Sequence, residues 1–181
     1  MPRARVKLLP FALVGLLLAS PVPGVAGAAQ VSFLHPETYT DASLSGGYGA
    51  RAEQLTLGEI GRYLESLGAR YLGAEQVLTL EVLNVDLAGK IEWWRRPAYD
   101  LRVLRDIYPP RFTLHYRLTE GGRTLREGEE TVVDPNYLAN PAIYFSPSDP
   151  LRFDKAMLAD WFRARFAGEG STRTPVGFLV N

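Results

Sequence analysis

The chain contains no cysteine and only two histidines, His35 and His115, in 181 residues. Without cysteine there is no disulfide framework and no thiol nucleophile, so the apolar core alone must hold the fold. Two histidines cannot supply a three-histidine metal site. No H-E-x-x-H, G-x-S-x-G or Walker loop occurs, which removes the common zinc-protease, serine-hydrolase and nucleotide-binding signatures. Charge of one sign is also missing, with 20 Lys and Arg against 20 Asp and Glu. Long apolar runs are scarce. The one at the start, from Leu8 to Leu18, falls short of the ~20 residues a membrane span needs.

That run has a different reading. Arg3, Arg5 and Lys7 precede it, and Ala26-Gly27-Ala28 follows as a small-residue cleavage site. Together they predict a cleavable signal peptide over 1–28 and a periplasmic protein without a stable membrane span. No cysteine follows the run to carry a lipid anchor. Removing the three basic residues leaves 17 basic against 20 acidic side chains, a net charge of −3. Such a balance gives no electrostatic case for nucleic acid or for anionic lipid. The remaining chain of about 150 residues fits one domain, expected over 29–166, with a frayed tail over 167–181.

The most pronounced amphipathic stretch is 148–166, SDPLRFDKAMLADWFRARF. Asp149-Pro150 reads as a helix start, with the Asp side chain as cap and Pro in the first turn. Phe153, Met157, Trp161 and Ala164 recur at helical spacing, beside a second row of Leu151, Leu158, Phe162 and Phe166. An arc this wide suits a helix laid over a sheet. A second helix is expected over 57–72, with Thr56 and Glu59 as a capping box, Leu55 and Ile60 as a staple, and Gly73 as a left-handed terminator.

Strands are expected over 30–34 and over 76–87, the latter apolar enough for a central position. Residues 101–104 suggest a short edge strand. Arg111–Leu118 alternates cleanly, and Gly121-Gly122 marks a hairpin returning over 124–133. Pairing Arg117 with Glu127 and His115 with Glu129 gives favourable cross-strand contacts of about 0.2–1 kcal/mol each. That register requires a three-residue loop with a bulge and places Glu130 on the apolar face, at the sheet margin. Residues 35–52 read as loop, and 134–148 as an apolar loop packed on the body. The sum is an α+β two-layer sandwich: a mainly antiparallel sheet of about four to five strands packed by two helices.

Chemistry-bearing residues are few. Asp86 ends the apolar strand, where it either caps a turn or acts as an acid of raised pKa. His115 reads as a solvated strand residue paired to Glu129. A carboxylate-dependent hydrolase of the envelope would need Asp86, Asp134 and His115 to meet. Asp134, Asn136, Asp149 and Asp154 could offer oxygens to a calcium ion, although their spacing departs from the EF-hand pattern and turn and cap roles already account for two of them. No cofactor or metal is expected. Trp93-Trp94-Arg95-Arg96 is a candidate docking patch, because Trp and Arg concentrate at binding hot spots; an insertion folded over the sheet is the alternative. Tyr137, Tyr144, Asp149 and Arg152 complete the expected contact surface.

Three stretches, EVLNVDLAG at 81–89, DPNYL at 134–138 and the closing helix at 148–166, resemble a family of exported bacterial proteins catalogued as domain of unknown function 3016. The resemblance runs from about residue 31 to 166, and the Trp-Trp-Arg-Arg stretch falls outside its pattern. It implies bacterial export and a single domain, and brings no activity, cofactor or catalytic residue. The expected function is a non-enzymatic periplasmic binding or envelope-interaction module with an unknown envelope partner. The alternatives are the hydrolase and a purely structural envelope component.

Overall fold

A computed structural model describes residues 27–45, 49–92, 94 and 101–167. The predicted signal peptide, Trp93, Arg95, Arg96, Tyr48 and the expected tail beyond 167 lie outside the described residues. The fold is α+β. Strand β1 (Ala28–Phe33) leads through a 3-10 turn into helix α1 (Ala50–Tyr71) and strand β2 (Gln76–Asp86). Two short strands, β3 (Lys90–Ile91) and β4 (Arg102–Val103), come next. The hairpin β5 (Arg111–Glu120) and β6 (Arg123–Val133) follows, then two 3-10 turns and helix α2 (Arg152–Phe166).

The main sheet has the order β1-β2-β5-β6. Strand β1 runs parallel to β2, and the other pairs are antiparallel. Parity decides the faces: Leu78, Leu80 and Val82 of β2 and Phe112, Leu114, Tyr116 and Leu118 of β5 all point to the covered side and are buried. Both helices cover that side. Leu57, Ile60, Leu64 and Leu67 of α1 join Met157, Leu158, Trp161, Phe162 and Phe166 of α2 in one core cluster with those strand residues. Trp161, Phe162 and Phe166 meet edge to face, with ring centroids 5.0–6.2 Å apart, a spacing aromatic quadrupoles favour. The closing helix is therefore the lid its aromatic arc predicts. Ala164 is the exception, lying exposed. The opposite face is lined by Thr79, Glu81, Thr113, His115, Arg117 and Glu127, which makes a polar surface.

The hairpin register is as expected. Arg117 faces Glu127 and His115 faces Glu129. The loop is shorter, two glycines at φ 55° and 82°, a conformation that favours glycine in a tight hairpin turn. The bulge sits in the strand, between Leu118 and Thr119 across from Leu125.

Several local expectations are corrected. Helix α1 begins at Ala50, not near residue 57, because the Ala-, Glu- and Gln-rich stretch before Thr56 is itself helix-forming. Thr56 does not cap; its hydroxyl donates back to the Ala52 carbonyl at 3.0 Å. The left-handed residue after α1 is Glu75 at φ 69°, not Gly73. Helix α2 starts at Arg152, with Asp149 closing the preceding turn through Oδ1 and the Leu151 N–H at 2.8 Å. Strand β1 starts at Ala28, and the 101–104 strand belongs to a separate two-stranded sheet with β3. Residues 35–45 are held down: the Tyr39 hydroxyl donates to the Val82 carbonyl at 2.7 Å, and the Asp41 N–H to the Val85 carbonyl at 2.9 Å.

Candidate functional site

Strand β2 ends at Asp86, opposite Arg111 where β5 begins, and Arg111 in turn faces Val133 where β6 ends. The connections at this end of the sheet are long: 87–110, 134–151 and the stretch after β1. A minor core of Ala88, Tyr137 and Phe153, with Leu104 against it, binds the first two of these connections to α2. Tyr137 is fully buried, meets Phe153 edge to face at 5.1 Å, and donates its hydroxyl proton to the Arg105 carbonyl at 2.7 Å. Sequence reading placed Tyr137 on a contact surface; it is instead a bolt beneath that surface.

Three charged side chains hold this end. The Arg102 guanidinium donates from Nη1 to the Gly89 carbonyl at 2.8 Å, with longer contacts to the Leu87 and Ala88 carbonyls, and from Nη2 to Asp41 Oδ1 at 2.9 Å and the Ser43 carbonyl at 2.6 Å. Arg105 Nη2 reaches both oxygens of buried Glu92, at 3.0 and 3.1 Å. Asp154, only 1% exposed in the first turn of α2, accepts the Ala88 N–H at 3.0 Å. Burial pushes the Asp154 carboxyl up to about 7, against the Ala88 and Asp154 backbone bonds and the Arg102 charge, which lower it.

This shift has a checkable consequence. The native state holds the Asp154 proton more tightly than the unfolded chain, whose carboxyl titrates near the ordinary 3.8. Its contribution to stability is therefore greatest at low pH and is lost as pH rises from about 4 towards about 7. Asp154→Asn keeps an oxygen for the Ala88 N–H but cannot ionise. Urea unfolding across that range should show wild type losing stability relative to the variant, by about 1.4 kcal/mol per pH unit at most. Parallel profiles would refute the buried-acid reading.

A shallow cleft of about 90 Å³ opens beside Asp86, lined by Lys90, Arg111, Ile107, Tyr108 and Pro109 among others. Burial raises the Asp86 pKa, Asp41 adds to the rise, and Lys90, Arg111 and Arg102 oppose it. Small-molecule sites run to roughly 300–1,000 Å³, so this cleft is the size of a side chain rather than of a substrate.

The other candidates are spread out. His115 turns Nδ1 to Glu81 at 3.2 Å and Nε2 to Glu127 at 3.6 Å, not to Glu129 as expected. It lies four residues along β5 from Arg111, hence about 13 Å from Asp86 at the usual strand rise. Asp134, just past β6, sits two strands across from Asp86, roughly 10 Å away, and accepts the Asn136 N–H at 3.0 Å. The structure does not bring Asp86, Asp134 and His115 together. Asp149 accepts from Lys155 Nζ at 2.7 Å, and the same ammonium reaches Glu59 at 2.5 Å, tying α2 to α1. Arg152 lies 4.4 Å over the Phe153 ring and donates to the Asp149 carbonyl. Among the described residues, no group of three or more His, Asp or Glu is arranged to hold a metal ion.

What the connections do carry is exposed apolar surface. Nine large hydrophobic side chains are exposed among the described residues. Leu55 is on α1 and Leu125 in the hairpin. The other seven (Leu34, Trp94, Leu101, Ile107, Leu138, Tyr144 and Phe145) all stand in connections at this end. Phe145 is 88% and Tyr144 72% exposed. Sequence reading found Trp94 and Tyr144 but missed Phe145 and Ile107, whose signal was only an apolar residue in a proline-rich connection.

Residues 27–164 match the model of a protein family of unknown function, DUF3016. The chain belongs to the DUF3016 family. The match begins one residue before β1 and ends inside α2, so it covers the whole sheet and the apolar end. No curated protein and no solved structure matches this DUF3016 chain. Among the described residues, no helix is long and apolar enough to cross a membrane.

Proposed function

We propose that this protein is an exported binding module of the cell envelope, which docks a protein partner through the apolar end of its sheet. The observation that carries the reading is the concentration of exposed Trp94, Tyr144, Phe145, Leu101 and Ile107 on connections that are themselves pinned from below. Exposed apolar patches rimmed by polar groups mark interaction surfaces. Asp86, Lys90 and Arg111 form such a rim around the small cleft, which is suited to one polar side chain of a partner. A surface held by Tyr137, Arg102 and Asp154 loses little conformational freedom on binding, which favours affinity. Export rests on the basic start, the apolar run and the small residues that follow it.

A photo-crosslinking amino acid placed at Phe145 in living cells should trap one defined partner. The same group at Leu125, also an exposed leucine but in the β5–β6 hairpin at the other end of the sheet, should not. Tyr144→Ser/Phe145→Ser should weaken binding to the trapped partner at least tenfold, since aromatic hot spots are each worth about 2 kcal/mol or more. Equal trapping at both positions, or unchanged affinity of the double variant, would reject the surface.

A further inference from the structure

We infer that the protein forms a two-fold dimer in which β1 pairs antiparallel with β1 of a second copy, centred on Val31. The two four-stranded sheets then join into one continuous sheet with all the helices on one face.

The two margins of the sheet are built differently. At one margin, β6 carries Arg123, Arg126, Glu127, Glu129 and Glu130, the kind of charge with which edge strands resist pairing. Arg126 also donates to the Arg165 carbonyl of α2. At the other margin, β1 reads AAQVSF, with no charge and no proline. The Leu34 N–H donates to the Val82 carbonyl at 2.9 Å. By strand alternation the backbone groups of Gln30 and Ser32 also point to β2, and those of Ala29, Val31 and Phe33 point outward. Among the described residues, no strand or loop pairs with that outer row.

Helix α1 leaves the margin open. A Cβ on Gly68 would lie 2.5 Å from Ala29 Cβ, and one on Gly61 would lie 3.4 Å from the Phe33 ring. These two glycines sit at one border of the buried arc of α1, whose remainder is Leu57, Ile60, Leu64 and Leu67. The helix axis therefore lies inboard of β1. Ala29, Val31 and Phe33 stay only half-buried, whereas Leu80 and Val82 beside them on β2 are fully buried. An apolar row that one helix closes from above and nothing closes from the side is a template for another strand.

Self-complementarity selects a second copy as that strand. A two-fold axis at Val31 sets Val31 against itself and Ala29 against Phe33, small against large, with about six backbone hydrogen bonds from these pairs. On the open face it sets exposed Gln30 against exposed Ser32, amide against hydroxyl. The α1 helices then run antiparallel along the joint. Arg62 and Glu65 are exposed and lie just past the glycine border, and neither makes an ion pair among the described residues. The same axis brings Arg62 of each copy towards Glu65 of the other, so the charges match twice.

The full 181-residue chain, expressed with a carboxy-terminal tag, provides the test. Sedimentation equilibrium should give twice the mass of the purified chain. Val31→Pro removes an outward N–H and leaves the β2 ladder intact, so it should give a folded monomer. Arg62→Glu, on exposed helix surface, should weaken the dimer several-fold, and adding Glu65→Arg should restore it. The chain has no cysteine, so Gln30→Cys and Ser32→Cys report the register. These positions form a non-hydrogen-bonded pair across the joint, with Cβ atoms about 4.5 Å apart and near disulfide reach. Oxidised together, the two variants should give a linked dimer that neither gives alone. A wild-type monomer would overturn the pairing. So would either cysteine variant linking as well alone as in the mixture, or a dimer that Arg62→Glu leaves intact and in which the mixture stays unlinked.

Discussion

Replacing Trp161 with alanine is expected to lower the unfolding free energy by about 3–5 kcal/mol, the range for large aromatic truncations in a closed core. Trp161 is only 2% exposed, meets Tyr116, Phe162 and Phe166 edge to face, and donates its indole N–H to Glu130 at 2.9 Å. Two losses combine. The cavity forfeits ring contacts that α2 and the sheet cannot both move to recover. Glu130, buried on the covered face, keeps the Tyr116 hydroxyl at 3.1 Å and Arg165 Nε at 3.0 Å but loses its third donor. Trp161→Phe separates the two effects: most of the volume stays and only the donor goes, for an expected cost of about 1–3 kcal/mol. Equilibrium urea unfolding of both variants measures the difference. A Trp161→Ala variant within 1 kcal/mol of wild type would mean that α2 is not the lid of the core. Against a total stability of about 5–15 kcal/mol for a domain of this kind, the larger variant loses a substantial share.

The core was legible because its signals are periodic. Alternation over Phe112, Leu114, Tyr116 and Leu118 fixes one face of β5, and the register with β6 follows from placing Arg117 against Glu127. The same parity puts Glu130 inside. Sequence could not show that Tyr116, Trp161 and Arg165 would converge there to satisfy it, because those partners come from another strand and from a helix 31–35 residues away. Asp154 was marked by its position as well: it lies three residues after Leu151 and three before Met157, on the apolar arc, yet it was read only as a candidate oxygen for a calcium ion. The start of α1 was missed because Thr56 and Glu59 imitate a cap, while a threonine inside a helix can instead bond back to the turn before it. The apolar end was the least legible part. Connections carry no period, so Tyr144, which stands out, and Tyr137, which is fully buried, look alike in sequence.

The same limit hid Arg102, which sits in a two-residue strand with no pattern around it, 61 residues from the aspartate it binds. Arg102→Met is expected to cost about 3 kcal/mol, since removing one partner of a buried ion pair leaves the other uncompensated. The side chain is 10% exposed and that of Asp41 17%. Five acceptors depend on the one guanidinium, and methionine offers similar length with no donor. The cost is moderated by two facts: Arg102 Nε is itself buried with no partner among the described residues, and Asp41 is partly exposed. Asp41→Asn should therefore be milder, and the double variant should fall short of the sum of the single ones by about 1–2 kcal/mol, the coupling expected of residues in one network. The local readout matters more than the global one. Arg102 is what fastens the 87–110 connection to both the end of β2 and the segment after β1, so its loss should raise amide exchange at Gly89 and Lys90 and expose the peptide bond after Arg105 to trypsin. Amides at Leu80 and Leu114, deep in the sheet, should stay protected until global unfolding. If exchange rises equally everywhere, Arg102 serves the whole fold and not its apolar end; if it rises nowhere, the guanidinium holds nothing in place, and the rigid surface on which the binding reading depends has lost its fastening.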